Sequence, residues 1–203
     1  MSAHCSHGHP PPRGYSRVLW IALAVNALMF VVEIGAGLTS GSVSLLADAI
    51  DFFGDAANYA LTLSVLSLGA VWRARAAQVK AASMLLFGVL VLGKVVWAMM
   101  QGTPPEPLTM GMVGTLALAA NVAVAMLLYA FRDGDANMRS VWLCTRNDAI
   151  GNVAVMFAAL GVFGTGTAWP DLAVAVAMAS LAVIAGWTVL RQARRELALH
   201  KAA

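Results

Sequence analysis

Positions 45–60 read LLADAIDFFGDAANYA, with three aspartates in an otherwise apolar stretch. Asp48, Asp51 and Asp55 are three and four residues apart, so a helix places all three on one face. A second constellation, WLCTRNDAIGN at 142–152, sets Cys144 and Asp148 four apart on one face. Three carboxylates and a thiolate, Asp51, Asp55, Asp148 and Cys144, match the donor set of a tetrahedral divalent ion such as Zn²⁺. Acids this close need positive charge beside them, which either a metal ion or protons supply. Exchange between those two states is the chemistry of metal/proton antiport. The thiolate biases the set toward softer ions, Zn²⁺ or Cd²⁺, over Mg²⁺ or Ca²⁺. A plainer reading has the same acids paired with bases, or buried neutral, to fix helix packing.

The surroundings of these residues are lipid-like. Of 203 residues, 60% are hydrophobic and 11% charged, with a mean hydropathy of +0.76. Soluble domains carry about 25% charge. Six apolar segments, at about 18–38, 43–70, 79–101, 110–131, 140–163 and 170–190, each approach the roughly 20 residues that span a bilayer core. The breaks LTSGSVS, VWRARAAQVK, QGTPPEPLTM, AFRDGDANMRS and GTGTAWPD separate them, punctuated by Gly and Pro. The expected fold is an all-α polytopic membrane protein with six transmembrane helices. A tail at 1–16 precedes a transport domain at 17–191, and a short tail follows at 192–203.

Eleven of the thirteen Lys and Arg, including Arg17, Arg75, Lys80, Arg139 and Arg191, fall on one side of that topology. The positive-inside rule therefore puts both termini in the cytoplasm. The net charge of +3 is a topology signal, and nothing else points to nucleic acid. Segment one carries Asn26 and Glu33 and lacks a small-residue cleavage pattern, so it reads as a permanent helix and not a signal peptide. A bacterial plasma membrane is the expected location. Cys5 and Cys144 are too unlike in context to suggest a disulfide framework.

An ionisable group in hydrocarbon costs roughly 2.5–3.5 kcal/mol or more, so it faces the bundle interior and marks a pathway or a partner. At about 1.5 Å rise per residue, Asp51 and Asp55 stand roughly 18 and 12 Å above the cytoplasmic boundary. Cys144 and Asp148 stand roughly 6 and 12 Å above it, so the two pairs overlap in height. Asp48 lies farther out, level with Glu33 and Lys94, and an ion pair of Lys94 with Asp48 or Glu33 is expected there. Arg146, two residues past Cys144, is rotated by about 200° and should point away, toward the interface or toward Asp133 or Asp135. Asn58, Asn147 and Asn152 either orient the carboxylates or join helices. His4, Cys5, His7 and His9 lie within six residues and form a metal-capture motif or an inconsequential tail.

The stretch NALMFVVEIGAGLTSGSVSLLADAIDFFGDAAN resembles the first two helices of the cation diffusion facilitator family of divalent-metal/proton antiporters. RSVWLCTRNDAIGNVAV resembles its fifth helix, where His- or Asp-x-x-x-Asp is usual. The resemblance carries the transport site onto Asp51, Asp55, Cys144 and Asp148, leaving Asp48 outside the ligand set. It implies alternating access, with cytoplasmic metal exchanged for inward-moving protons, commonly by a homodimer embedded in membrane lipid. Cys144 departs from the family pattern. Only RQARRELALHKAA follows helix six, where the family usually adds a ferredoxin-like domain, so a membrane-domain-only member is expected.

The function expected from these residues is efflux of zinc or cadmium, the metal being cargo and no cofactor being needed. Manganese, cobalt, nickel or iron export, and a non-transporting subunit or metal sensor, are the alternatives. No HExxH, nucleophile elbow or Gly-x-Gly-Asp element supports an enzyme.

Overall fold

The computed structural model describes residues 14–64, 70–131 and 136–202. It consists of six helices: α1 (Tyr15–Ser40), α2 (Val43–Ser64), α3 (Ala70–Gln101), α4 (Pro107–Tyr129), α5 (Ala136–Thr165) and α6 (Trp169–Ala202). No strand occurs among the described residues. The expected all-α, six-helix polytopic fold is what forms.

Five helices are long and apolar enough to cross a membrane by themselves. The sixth, α2, has sufficient length but carries the three aspartates. It packs against α1, α3, α5 and α6, and that enclosure keeps its acids out of lipid. Around it, α1 pairs with α4, α4 with α5, and α3 lies along α6. Polar residues are buried, while Trp20, Leu28, Leu86, Leu116, Phe157 and Leu181 are exposed on the outside. That pattern suits lipid as the solvent.

Several helices outrun the apolar segments. VWRARAAQVK, expected as a break, lies within α3, and α6 continues to Ala202 through the expected boundary at 191/192. Ala, Arg, Gln and Lys are good helix formers, so a helix leaving the bilayer has no reason to stop where hydropathy falls. Lys80, counted above among the boundary cations, is consequently a buried residue of α3.

The start of α2 is held by a device that sequence reading missed. Gly41 takes φ +74° in the turn from α1, a conformation open to glycine. Ser42 then accepts the Leu45 N–H at 3.2 Å as an N-cap. The next two amides bond to Asp171 in the first turn of α6: Val43 N–H donates to Oδ2 at 2.8 Å and Ser44 N–H to Oδ1 at 3.1 Å. The hydroxyls of Ser42 and Ser44 also donate to Asp171 Oδ1, at 2.7 and 2.6 Å. Asp171 is fully buried, and its charge sits at the positive end of the α2 dipole.

Replacing Asp171 by Ala leaves four buried donors without their acceptor, a cost of about 3 kcal/mol. Thermal unfolding in detergent should show Tm lowered by roughly 6–12 °C. Asp171→Asn, which retains one acceptor oxygen, should fall between the two.

Candidate metal site in the bundle interior

The polar interior is built from two adjoining groups of residues. In the first, Asp55 of α2 accepts a hydrogen bond from Tyr59 OH, one turn on, at 3.0 Å. Tyr59 is also hydrogen-bonded to Thr145 Oγ1 of α5 at 2.6 Å. Asp55 faces Asp148 of α5 closely enough for their side chains to interact, and Asp51 lies within electrostatic reach of both. One Asp148 oxygen, Oδ2, is buried with no hydrogen-bond partner among the described residues. Asp51, Asp55 and Asp148 thus act on one another electrostatically where α2 meets α5.

The fourth expected ligand, Cys144, is on α5 one turn before Asp148, and its side chain lies outside the described residues. Among the described residues, no three His, Cys, Asp or Glu side chains form a metal-holding group in this conformation. His4, Cys5, His7 and His9 also lie outside the described residues, as do Asp133 and Asp135.

The second group begins one turn away, at the α1–α2 end. Asp48 accepts a hydrogen bond from Asn152 Nδ2 of α5, and Asn152 Oδ1 accepts one from Asn121 Nδ2 of α4 at 2.8 Å. Glu33 of α1 stands beside Asp48 and within the field of Asp51. It is completely buried, and neither carboxylate oxygen has a hydrogen-bond partner among the described residues. Four helices therefore meet at these acids through side-chain polar contacts.

The expected ion pair of Lys94 with Asp48 or Glu33 does not form here. Lys94 is exposed on α3, beside a groove lined by Phe30, Ile34, Leu46 and Phe87. The side of α3 turned inward carries Met84, Val91 and Val95, and a neighbouring position is rotated by about 100°. Asn152 takes the place expected of the base. Asn147 is exposed and accepts a 3.3 Å hydrogen bond from Arg146 Nη2, turned away from Asp148 by the same 100° rule. Arg146 itself is exposed, with its guanidinium 5.4 Å from the centroid of the Trp142 ring.

Asn58 is the remaining asparagine singled out. Its Oδ1 accepts a hydrogen bond from the ammonium of Lys80, and Lys80 acts electrostatically on Asp55. Tyr59, Thr145, Asn121 and Lys80 were all missed as site residues. Tyr59 carried a signal, four residues after Asp55. Asn121, an isolated amide in an apolar helix, carried a weaker one.

Residues 19–198 match the family described as the cation efflux transmembrane domain. The chain is 26% identical over 197 residues to the metal cation efflux system protein CzcD of Cupriavidus metallidurans, covering 91% of this chain and 62% of the relative. It is 27% identical over 208 residues to the zinc transporter ZitB of Escherichia coli, covering 93% and 64%. It is 23% identical to a cadmium, cobalt and zinc/H(+)-K(+) antiporter of Bacillus velezensis, covering 91% and 64%. The chain thus spans about three fifths of the length of these relatives. With its apolar helices and bacterial relatives, it is a multi-pass protein of the bacterial inner membrane.

The amide chain makes the four-helix junction testable. Asn152→Ala should cost about 1–3 kcal/mol, because Asp48 and Asn121 both lose a buried partner. In a double-mutant cycle, Asn121→Ala and Asn152→Ala should couple by at least about 0.5 kcal/mol in detergent unfolding. Strict additivity would show that the two amides act independently.

Proposed function

Because this chain belongs to the cation efflux family, we propose that it exports a divalent transition metal, zinc or cadmium first, from the cytoplasm in exchange for protons. The observation that carries the reading is the convergence of Asp51, Asp55 and Asp148 from two helices inside a lipid-facing bundle. Cys144, on the same face of α5 as Asp148 in an ideal helix, would complete the donor set.

Two carboxyl groups this close would share a proton in the absence of metal, and a divalent ion that took both would release it. Metal loading and deprotonation are in this way one event. Tyr59 and Thr145 hold Asp55 in place during that exchange. The basic helix ends face the cytoplasm under the positive-inside rule, with tails at 1–16 and 192–203 on that side. The leader's His and Cys residues would offer a first contact for incoming metal. The names of CzcD, ZitB and the Bacillus antiporter agree with metal as cargo.

Purified protein in liposomes holding a metal-sensitive dye provides the test. Wild type should show Zn²⁺ flux that rises with an opposing proton gradient, and Asp55→Ala and Asp148→Ala should reduce it to the level of empty liposomes. Metal binding without flux in wild type would replace transport by sensing. The thiolate argument has its own outcome: Cys144→His should shift the ratio of Cd²⁺ to Zn²⁺ transport toward Zn²⁺. An unchanged ratio would remove Cys144 from the selectivity argument.

A further inference from the structure

Every acid in this interior raises the same question of what balances its charge, and α3 supplies one answer. Gly54, beside Asp55, lets α3 come close to α2: a Cβ there would meet Met84 Cε at 3.3 Å. One turn farther along each antiparallel helix, Asn58 and Lys80 oppose one another, and the Lys80 ammonium bonds to Asn58 Oδ1. Phe53 and Phe87, with ring centroids 5.7 Å apart, fix the same register on the other side of the Gly54 contact. Lys80 is 7% exposed and is the buried basic side chain among the described residues. The positive charge therefore lies about 4.5 Å along the helix axis from Asp55, on the side of the basic helix ends.

A fixed cation at that place does two things. It stabilises Asp55 when no metal is bound, and it repels a divalent ion approaching the same carboxylate. Fields of this kind are strong in a region shielded from water. We infer that Lys80 is a tethered counter-cation of the transport site, held by Asn58, which competes with the metal for Asp55 and so sets metal affinity and release. This rests on the proposed transport function. Lys80 touches neither cargo nor proton in this account and acts on Asp55 by its charge alone.

The competition predicts a split between affinity and turnover. Lys80→Met keeps the length of the side chain and removes the charge. In the liposome assay it should lower KM for Zn²⁺ by about tenfold or more and lower the maximal rate, because metal is held harder and released more slowly. Lys80→Arg, which keeps the charge, should stay within about twofold of the wild-type KM. Zn²⁺ titration of detergent-solubilised protein reads the same effect without transport: Lys80→Met should bind more tightly and Lys80→Arg like wild type. Should Lys80→Met fail to fold, Lys80→Gln, able to bond the same Asn58 oxygen, replaces it in both assays.

An unchanged or raised KM together with unchanged or weaker binding in the uncharged variants would overturn the inference. Equal loss in Lys80→Arg and Lys80→Met would do so as well, by showing that packing and not charge matters. A wild-type protein without Zn²⁺ flux, or Asp55→Ala with undiminished flux, would instead overturn the transport reading on which the inference stands.

Discussion

Carboxylates cannot remain ionised against lipid, and the arrangement of this bundle follows from that constraint. α2 carries three of them and is the helix with too many charged residues to count as an apolar span. It is enclosed by α1, α3, α5 and α6, each of which turns a polar or small side chain toward it and an apolar face outward. Transfer of one unpaired charge into hydrocarbon costs several kcal/mol. No single helix–helix contact offsets that, so the acids are shared among neighbours. Asn152 serves Asp48, Tyr59 and Asp148 serve Asp55, and Lys80 acts from α3.

The buried polar groups differ in how far they are satisfied. Asp171 has four hydrogen-bond donors, as expected of a carboxylate whose task is structural. Glu33 and one oxygen of Asp148 lack hydrogen-bond partners among the described residues. A transport site must give up its ligand, and ligand atoms permanently bonded to protein are poor at exchange. The open oxygen of Asp148 suits the cargo role proposed for it, and the four donors on Asp171 suit a fastening.

Much of this was legible in the sequence, for reasons that can be named. Runs of about 20 apolar residues have one stable form in lipid, because the backbone must satisfy itself, so the number and order of helices could be read directly. The face shared by Asp48, Asp51 and Asp55 follows from helical geometry alone. What escaped depended on contacts between distant parts of the chain. Asp171 looked like a residue of the GTGTAWPD turn, and nothing local shows that it caps a helix 128 residues earlier. Lys80 was read as a boundary cation yet faces inward, since a boundary residue's direction depends on how closely α3 approaches Gly54. Lys94 was given to Asp48 or Glu33 on height alone, and a rotation of one residue on α3 sent it outward. Depth along a helix was readable; azimuth relative to a neighbour was not.

The bonds from Asp171 also fix where motion can occur. They join the first turn of α2 to the first turn of α6. α2 is about 33 Å long, so any tilt with that joint intact would pivot near the turn from α1. A tilt of about 10° leaves Ser44 nearly still, yet displaces Ser64 by about 6 Å, wider than a dehydrated metal ion. Asp55, more than halfway down the arm, would move by about 3 Å in such a tilt.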